Sequence, residues 1–228
     1  MSRLLLVEDD AALAEALQLA LSGLGHDLVL AGSGEAAVDL ALGDEPVDLV
    51  LLDVMLPGID GFEACRRIST ASTTPIILLT ARGDAVDTIV GLECGADDYI
   101  VKPAEPRLID ARVKAVLRRS SRRPAEPARR HVLGRVELDE TAMVVTRDGR
   151  ELSLTPTELR LLVEFARHPG QVLSRQVLLD RVWEYGYLGD SRLVDACVQR
   201  LRAKVEPDPA NPTLIRTVRG IGYRLAPA

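Results

Sequence analysis

Leu49-Val50-Leu51-Leu52-Asp53-Val54-Met55-Leu56-Pro57-Gly58 is the stretch that decides the fold. Its first four residues are apolar without alternation, and so short and continuous a run reads as a strand buried on both faces. Strands of that kind belong to parallel sheets covered by helices on either side. Similar runs lie upstream at Leu4 to Val7 and Asp27 to Ala31, and downstream at Ile76 to Leu79 and Tyr99 to Val101. Amphipathic stretches separate them. The best of these, Asp10 to Gly23, sets Leu13, Leu17, Ala20, Leu21 and Leu24 at helical spacing, with Asp10 able to cap the first turn. Five such βα units predict a doubly wound α/β domain over residues 1–119, with its functional groups at the carboxyl ends of the strands, near the switch in strand order.

Past that domain, residues 120–130 lack apolar anchors and hold two prolines among charges, which predicts a linker. Residues 131–228 form the second domain. Strand-like pieces around Val132 to Leu138 and Ala142 to Thr146 are followed by an Asp148-Gly149 turn into Arg150 to Ser153. Thr155-Pro156-Thr157-Glu158 is a capping box with proline at the first helical position, and Leu159, Leu162, Val163 and Ala166 follow on one face until His168-Pro169-Gly170. A second helix begins after Ser174, a third covers about Ser191 to Val205, and Thr213 to Leu225 reads as a hairpin around Gly220 and Gly222. Three helices and a terminal hairpin predict a winged helix-turn-helix.

Composition narrows the function classes. No apolar run in the 228 residues approaches the ~18 to 20 that span a bilayer, and the apolar start Leu4 to Val7 is too short for a signal peptide, so a cytoplasmic protein without a membrane partner is expected. Cys65, Cys94 and Cys197 are odd in number and widely spaced, which argues against a disulfide framework or a zinc site. The net charge of -6 conceals an asymmetry: residues 1–119 carry 10 Lys and Arg against 20 Asp and Glu, and residues 120–228 carry 18 against 14. Only the second part has the cationic excess that phosphate neutralisation needs.

In a doubly wound sheet, Glu8 and Asp9 after the first strand and Asp53 after the third converge. Three carboxylates repel one another unless a hard divalent cation sits among them, and Mg²⁺ favours such a partial set, completed by water and phosphate oxygens. The fourth strand ends in Thr80, whose hydroxyl can donate to a phosphoryl oxygen, and the fifth leads to Lys102, whose ammonium can neutralise one. Pro103 suits a peptide bond held in an unusual isomer, cis being the candidate, to aim that lysine. Asp10 is better placed as a helix cap than as a ligand. Met55 and Arg82 flank the site, and solvated cover is one reading of their side chains; tuning of dephosphorylation is the other, implied only by the family resemblance that the following motifs carry.

These residues, with Val-Glu-Asp-Asp at 7–10, Asp-Val-Met-Leu-Pro-Gly at 53–58, Asp60-Gly61, Leu-Thr-Ala-Arg at 79–82, Gly-Ala-Asp-Asp-Tyr at 95–99 and Lys102-Pro103, resemble the receiver domain of two-component response regulators. The resemblance implies a flavodoxin-like, five-stranded domain with Asp53 as phosphoacceptor. It implies Mg²⁺ or Mn²⁺ on Asp9, Asp53 and the Met55 carbonyl, with Glu8 acting through water. Thr80 and Tyr99 would be the switch pair and Lys102 the phosphate-pairing lysine. The donor is a sensor histidine kinase. The protein assists its own phosphorylation and dephosphorylation without being an enzyme in the usual sense. An aspartyl phosphatase is the main enzymatic rival, yet such enzymes commonly carry a second aspartate where this chain has Met55. A metal-free, unphosphorylated DNA-binding switch is the other rival, and it would require pocket residues to be missing.

On the third helix of the second domain, Val194, Val198, Leu201 and Val205 form the expected buried stripe, and Arg192, Gln199, Arg200, Arg202 and Lys204 the expected DNA-facing set. The following Arg216, Thr217 and Arg219 suit a wing; arginine favours guanine edges and phosphates, glutamine adenine. The runs Leu-Thr-Pro-Thr-Glu at 154–158 and Arg-Thr-Val-Arg-Gly-Ile-Gly-Tyr-Arg at 216–224 resemble the output domain of the OmpR/PhoB subfamily. That resemblance implies promoter DNA with tandem half-sites, contact with RNA polymerase through the loop from Glu184 to Asp190, and a homodimer formed on phosphorylation. The family's usual dimer charges are absent at Thr88 and Leu108, leaving Asp97, Asp98, Arg112, Arg118 and Arg119 as the expected bridges. Ala104 also replaces the phenylalanine that often follows Lys-Pro, and Cys197 a frequent histidine.

Overall fold

The computed structural model describes residues 1–81, 94–121, 130–183 and 191–227, which divide into two compact units meeting between Leu117 and Arg118. The first unit contains β1 (Ser2–Val7), α1 (Ala11–Ser22), β2 (His26–Ala31), α2 (Gly34–Ala41), β3 (Leu49–Asp53), α3 (Gly61–Ala71), β4 (Ile76–Ala81), β5 (Asp98–Lys102) and α4 (Pro106–Ser121). Its strands pair in parallel in the order β2-β1-β3-β4-β5. Alternate residues of each strand feed opposite faces, as the pleat requires. Val50 and Leu52 join Leu5, Val7, Ile76 and Leu78 beneath α2 and α3, while Leu49 and Leu51 join Leu4, Leu6, Ile77 and Leu79 beneath α1 and α4. Both faces being covered is why the strands read as unbroken apolar runs.

Asp10 caps α1, its carboxylate accepting from the Ala12 and Leu13 amides. The stripe that α1 buries is Ala14, Leu17 and Leu21, whereas Leu13, expected inside, is exposed. The buried face of the helix therefore runs through Ala14 and not through Leu13.

The second unit opens with the antiparallel sheet β6 (Arg130–Leu133), β7 (Val136–Asp139), β8 (Val144–Arg147) and β9 (Arg150–Glu151). The stretch Val132 to Leu138, expected as one strand-like piece, is therefore two strands, turned at Gly134 with φ 65°. The helices α5 (Pro156–Arg167), α6 (Arg175–Val182) and α7 (Arg192–Val205) follow, with β10 (Val172–Ser174), β11 (Ile215–Val218) and β12 (Gly222–Leu225). The terminal hairpin is the expected one, but β10 joins it in a three-stranded sheet ordered β10-β12-β11. The capping box of α5 forms in full: Thr155 Oγ1 accepts from the Glu158 amide at 3.4 Å and Glu158 Oε2 from the Thr155 amide at 3.0 Å. Of the expected linker, Ser120 and Ser121 extend α4 and Arg130 opens β6; residues 122–129 lie outside the described residues. Among the described residues no helix is long and apolar enough to cross a membrane.

Candidate functional site

Val7 of β1 pairs with Leu52 of β3, so the next residue of each strand, Glu8 and Asp53, emerge side by side at the carboxyl edge of the sheet. One carboxylate oxygen from each of Glu8, Asp9 and Asp53 lies within 4.8 Å of the others. Glu8 and Asp53 are buried while Asp9 is exposed, so the cluster is open on one side. Lys102, at the end of β5, donates from Nζ to Glu8 Oε2 at 2.6 Å and to Asp53 Oδ2 at 2.7 Å. Asp53 Oδ1 also accepts from the Met55 amide at 3.3 Å, and the Met55 side chain is exposed. Burial pushes the Glu8 carboxyl up and the Asp53 charge adds to this, against the Lys102 hydrogen bond. For Lys102, burial works against the ammonium, but the hydrogen bonds to Asp53 and Glu8 outweigh it and the pKa is raised. All-oxygen donors with an excess of negative charge and one open side fit a hard divalent cation better than a soft one.

Local sequence serves this edge. Asp60 caps α3 by accepting from the Glu63 amide at 2.8 Å. A Cβ at Gly61 would lie 2.0 Å from the Asp53 carbonyl oxygen, so glycine alone lets α3 start against the strand end that carries Asp53. The Lys102-Pro103 peptide is cis. Thr80 pairs with Val101 and Leu78 with Tyr99, which puts Thr80 and Tyr99 on the same face of the sheet. Both are half-buried, and Tyr99 packs against the core beneath α3.

The residues expected to bridge a dimer are distributed differently. Asp97 and Asp98 are fully buried in their own unit. Asp97 Oδ2 accepts from the Ile76 amide at 3.1 Å at the start of β4, and Asp98 accepts from the Tyr99 amide at 2.8 Å and pairs with Arg112 at 3.4 Å. They are structural partners of the sheet edge and of α4, which corrects the expectation of surface charges, because a buried carboxylate is held where backbone donors and a cation satisfy it. Arg118 is exposed, as are Leu108 of α4 and Val101 of β5. Arg82, Thr88, the Arg119 side chain, the segment between β4 and β5 up to residue 93 and the loop from Glu184 to Asp190 lie outside the described residues.

On α7, Val194, Val198, Leu201 and Val205 are buried as expected, and Gln199 and Ala203 point outward, with Arg192 half-buried at the first turn. Arg202 does not face solvent with them. Its side chain enters the wing, donating to the Ile215 carbonyl at 3.0 and 2.7 Å and to Thr217 Oγ1 at 2.8 Å, and its guanidinium lies 5.5 Å from the centre of the Tyr223 ring. At helical spacing Arg202 follows Val198 and Leu201 round toward the core, and the wing supplies the acceptors that make this tolerable. Burial lowers its pKa. Tyr223 donates to Asp195 Oδ1 at 2.7 Å, where Arg175 Nε also donates at 2.7 Å, and Arg175 lies 5.2 Å from the same ring. Burial and the Asp195 acceptor push the Tyr223 hydroxyl up to about 12. Sequence reading missed this assembly of Arg175, Asp195, Arg202 and Tyr223, whose members come from three elements. Arg200 and Lys204 are turned toward Glu158 of α5, at 3.4 and 2.7 Å. The wing residues Arg216, Thr217 and Arg219 are exposed, the last beside Gly220 at φ 74°.

Residues 4–114 match the family model described as response regulator receiver domain, and residues 149–225 the one described as transcriptional regulatory protein, C terminal. Over 227 residues the chain is 60% identical to the transcriptional regulatory protein AfsQ1 of Streptomyces coelicolor, covering 100% of this chain and 99% of that protein. Over 225 residues it is 51% identical to the DNA-binding response regulator MtrA of Mycobacterium tuberculosis, covering 99% and 97%. Among solved structures it is similar to a RitR mutant, with a TM-score of 0.76, 27% identity and full coverage of both chains. It is also similar to DrrB, a Thermotoga maritima OmpR/PhoB homolog, with a TM-score of 0.50, 32% identity and 99% coverage of each.

Proposed function

Because the chain belongs to the response regulators that join a receiver domain to a winged-helix transcriptional regulatory domain, we propose that Asp53 is its phosphoacceptor and that phosphorylation there governs binding to promoter DNA. The observation that carries this reading is Lys102 standing 2.6 Å from Glu8 and 2.7 Å from Asp53, beside the exposed Asp9. An Asp53 oxygen attacks the phosphorus of a phosphohistidine on a sensor kinase; the O–P bond forms as the P–N bond breaks, and the electron pair returns to the imidazole. Asp9, Asp53 and the Met55 carbonyl, with Glu8 acting through water, would hold Mg²⁺ or Mn²⁺, which would supply neutralisation of the phosphoryl charge. Lys102 keeps its proton throughout, because its raised pKa leaves it an ammonium, and pairs with a phosphoryl oxygen. Water later hydrolyses the acyl phosphate, so the chain assists two steps of its own cycle and turns over no other substrate.

The Thr80 hydroxyl gains a new acceptor in the phosphoryl group, and Tyr99, on the same face, turns into the space that Thr80 leaves. That repacks the face made by β5 and α4, where Val101 and Leu108 are exposed, and promotes a homodimer. The stretch between α4 and β6, within the linker expected at 120–130, joins the receiver to the winged helix and lets two DNA-binding units occupy tandem half-sites. Gln199, Arg192 and Arg200 read base edges, while Arg216, Thr217 and Arg219 hold the backbone or minor groove. Contact with RNA polymerase through Glu184 to Asp190 and a cytoplasmic location complete the reading. Incubation with acetyl phosphate and Mg²⁺, followed by intact-mass measurement, tests it: wild type gains one acyl phosphate and Asp53→Asn gains none. Phosphorylation that survives in Asp53→Asn overturns the assignment, and a wild type that takes up none favours a metal-free switch.

A further inference from the structure

The loop from Val54 to Asp60 joins β3 to α3 and contains Met55. Its base is closed by its own backbone, the Val54 carbonyl accepting from the Leu56 amide at 3.2 Å and from the Gly61 amide at 3.0 Å. Its far end leans on another element. Glu35, in the first turn of α2, accepts from the Ile59 amide on Oε1 at 3.0 Å. The fit is tight on both sides: a Cβ at Gly58, whose φ is 78°, would lie 2.5 Å from that same Glu35 oxygen, and one at Gly34 would lie 2.4 Å from the Ile59 carbonyl oxygen. Only glycine at these two positions lets the loop and the helix start meet. Helix capping does not call for this carboxylate, because Ser33 already caps α2 by accepting from the Ala36 amide at 3.2 Å. Hydrogen bonds from its own amide and from the Ile59 amide, with Ser33 and the Arg67 charge in support, hold the exposed Glu35 carboxyl below the usual carboxylate range.

We propose that Glu35 is a positioning residue for the metal site: by accepting the Ile59 amide it settles the 54–60 loop, and with it the Met55 carbonyl, before a divalent cation arrives. This rests on the reading that gives Asp9, Asp53 and the Met55 carbonyl to Mg²⁺. A carbonyl on a loop that must be ordered on binding forfeits affinity to that ordering, whereas one already held does not. Groups that orient a ligand from behind matter to metal affinity for the same reason. The contact is a hydrogen bond to an amide, so an acceptor of the right length is what the loop needs, and the charge itself is secondary.

Calorimetric titration of the full-length, unphosphorylated protein with Mg²⁺ tests this. Glu35→Ala is expected to weaken Mg²⁺ binding by about tenfold, the lower end of what loss of an orienting group costs. Glu35→Gln, whose side-chain carbonyl reaches as far, should bind as wild type does, and Glu35→Asp, which keeps the charge but falls short of the Ile59 amide, should be as weak as Glu35→Ala. With acetyl phosphate as donor, the Mg²⁺ concentration giving half the maximal phosphorylation rate should rise by the same factor in Glu35→Ala, while the rate at saturating Mg²⁺ stays unchanged. Equal Mg²⁺ affinity in wild type and Glu35→Ala overturns this inference alone, as does weak binding by Glu35→Gln. A wild type that binds no Mg²⁺ overturns the metal-site reading together with it. Should thermal melting show Glu35→Ala unfolded, the contrast between Glu35→Gln and Glu35→Asp decides.

Discussion

Lys102 keeps two buried carboxylates from facing each other without compensation, and that fixes what its removal does. With Lys102→Met the pocket loses its own cation, so Mg²⁺ affinity measured by calorimetry should rise, while the rate of phosphorylation by acetyl phosphate should fall by about 10²-fold or more. Weaker Mg²⁺ binding in that variant would place the lysine among the groups that build the metal site instead of competing with it. Tyr223 offers a separate titration. Its folded pKa of about 12 exceeds the ordinary 10, so the neutral hydroxyl is the form the fold stabilises. That stability is fully present below pH 10 and is lost as pH rises through about 12. The shift corresponds to roughly 2 to 3 kcal/mol. Denaturant melts of wild type and Tyr223→Phe between these limits should therefore converge as pH rises; parallel curves would mean that Asp195 does not depend on the hydroxyl.

At the scale of elements, α7 and the wing are joined by Arg202, and the charge counted there from sequence belongs to the joint. Arg202→Met should leave the Ile215 carbonyl and the Thr217 hydroxyl without their donor, at a cost of ~1 to 3 kcal/mol for a buried unsatisfied group. Arg219, exposed at the turn, should behave in the opposite way: Arg219→Ala leaves thermal stability nearly unchanged and flattens the salt dependence of DNA binding by about 0.9. Melting curves and salt titrations on both variants separate the two roles, and an equal loss of slope in each would return Arg202 to the DNA-contacting set. A similar correction applies to α1. Helical spacing alone admits either Leu13 or Ala14 to the inner face, and the structure buries Ala14 and leaves Leu13 exposed.

For the whole molecule, two of the charges expected on a dimer face are buried, while exposed apolar groups stand on α4 and β5. Leu108 is 46% exposed on α4 and Val101 is exposed on β5, whereas Asp97 and Asp98 are committed inside the receiver. Leu108→Asp should weaken self-association of the phosphorylated protein in analytical ultracentrifugation by about tenfold while leaving acyl phosphate formation intact, since burying one leucine is worth ~1.5 to 3 kcal/mol. A dimer indifferent to Leu108→Asp would show that activation uses another face. The sequence by itself determined the five parallel strands, the switch point at β1 and β3, the α5 capping box, the winged helix and the convergence of Glu8, Asp9, Asp53 and Lys102. Strand burial on both faces, helix capping and strand-end position are local or periodic properties, written in consecutive residues. Only the tertiary structure decided that Asp97 and Asp98 turn inward, that Arg202 joins the wing and that Glu158 holds Arg200 and Lys204. A charged side chain goes where its partner is. Those partners, Ile76 and Arg112, Ile215 and Thr217, and Glu158 itself, come from other elements at separations that no periodicity encodes.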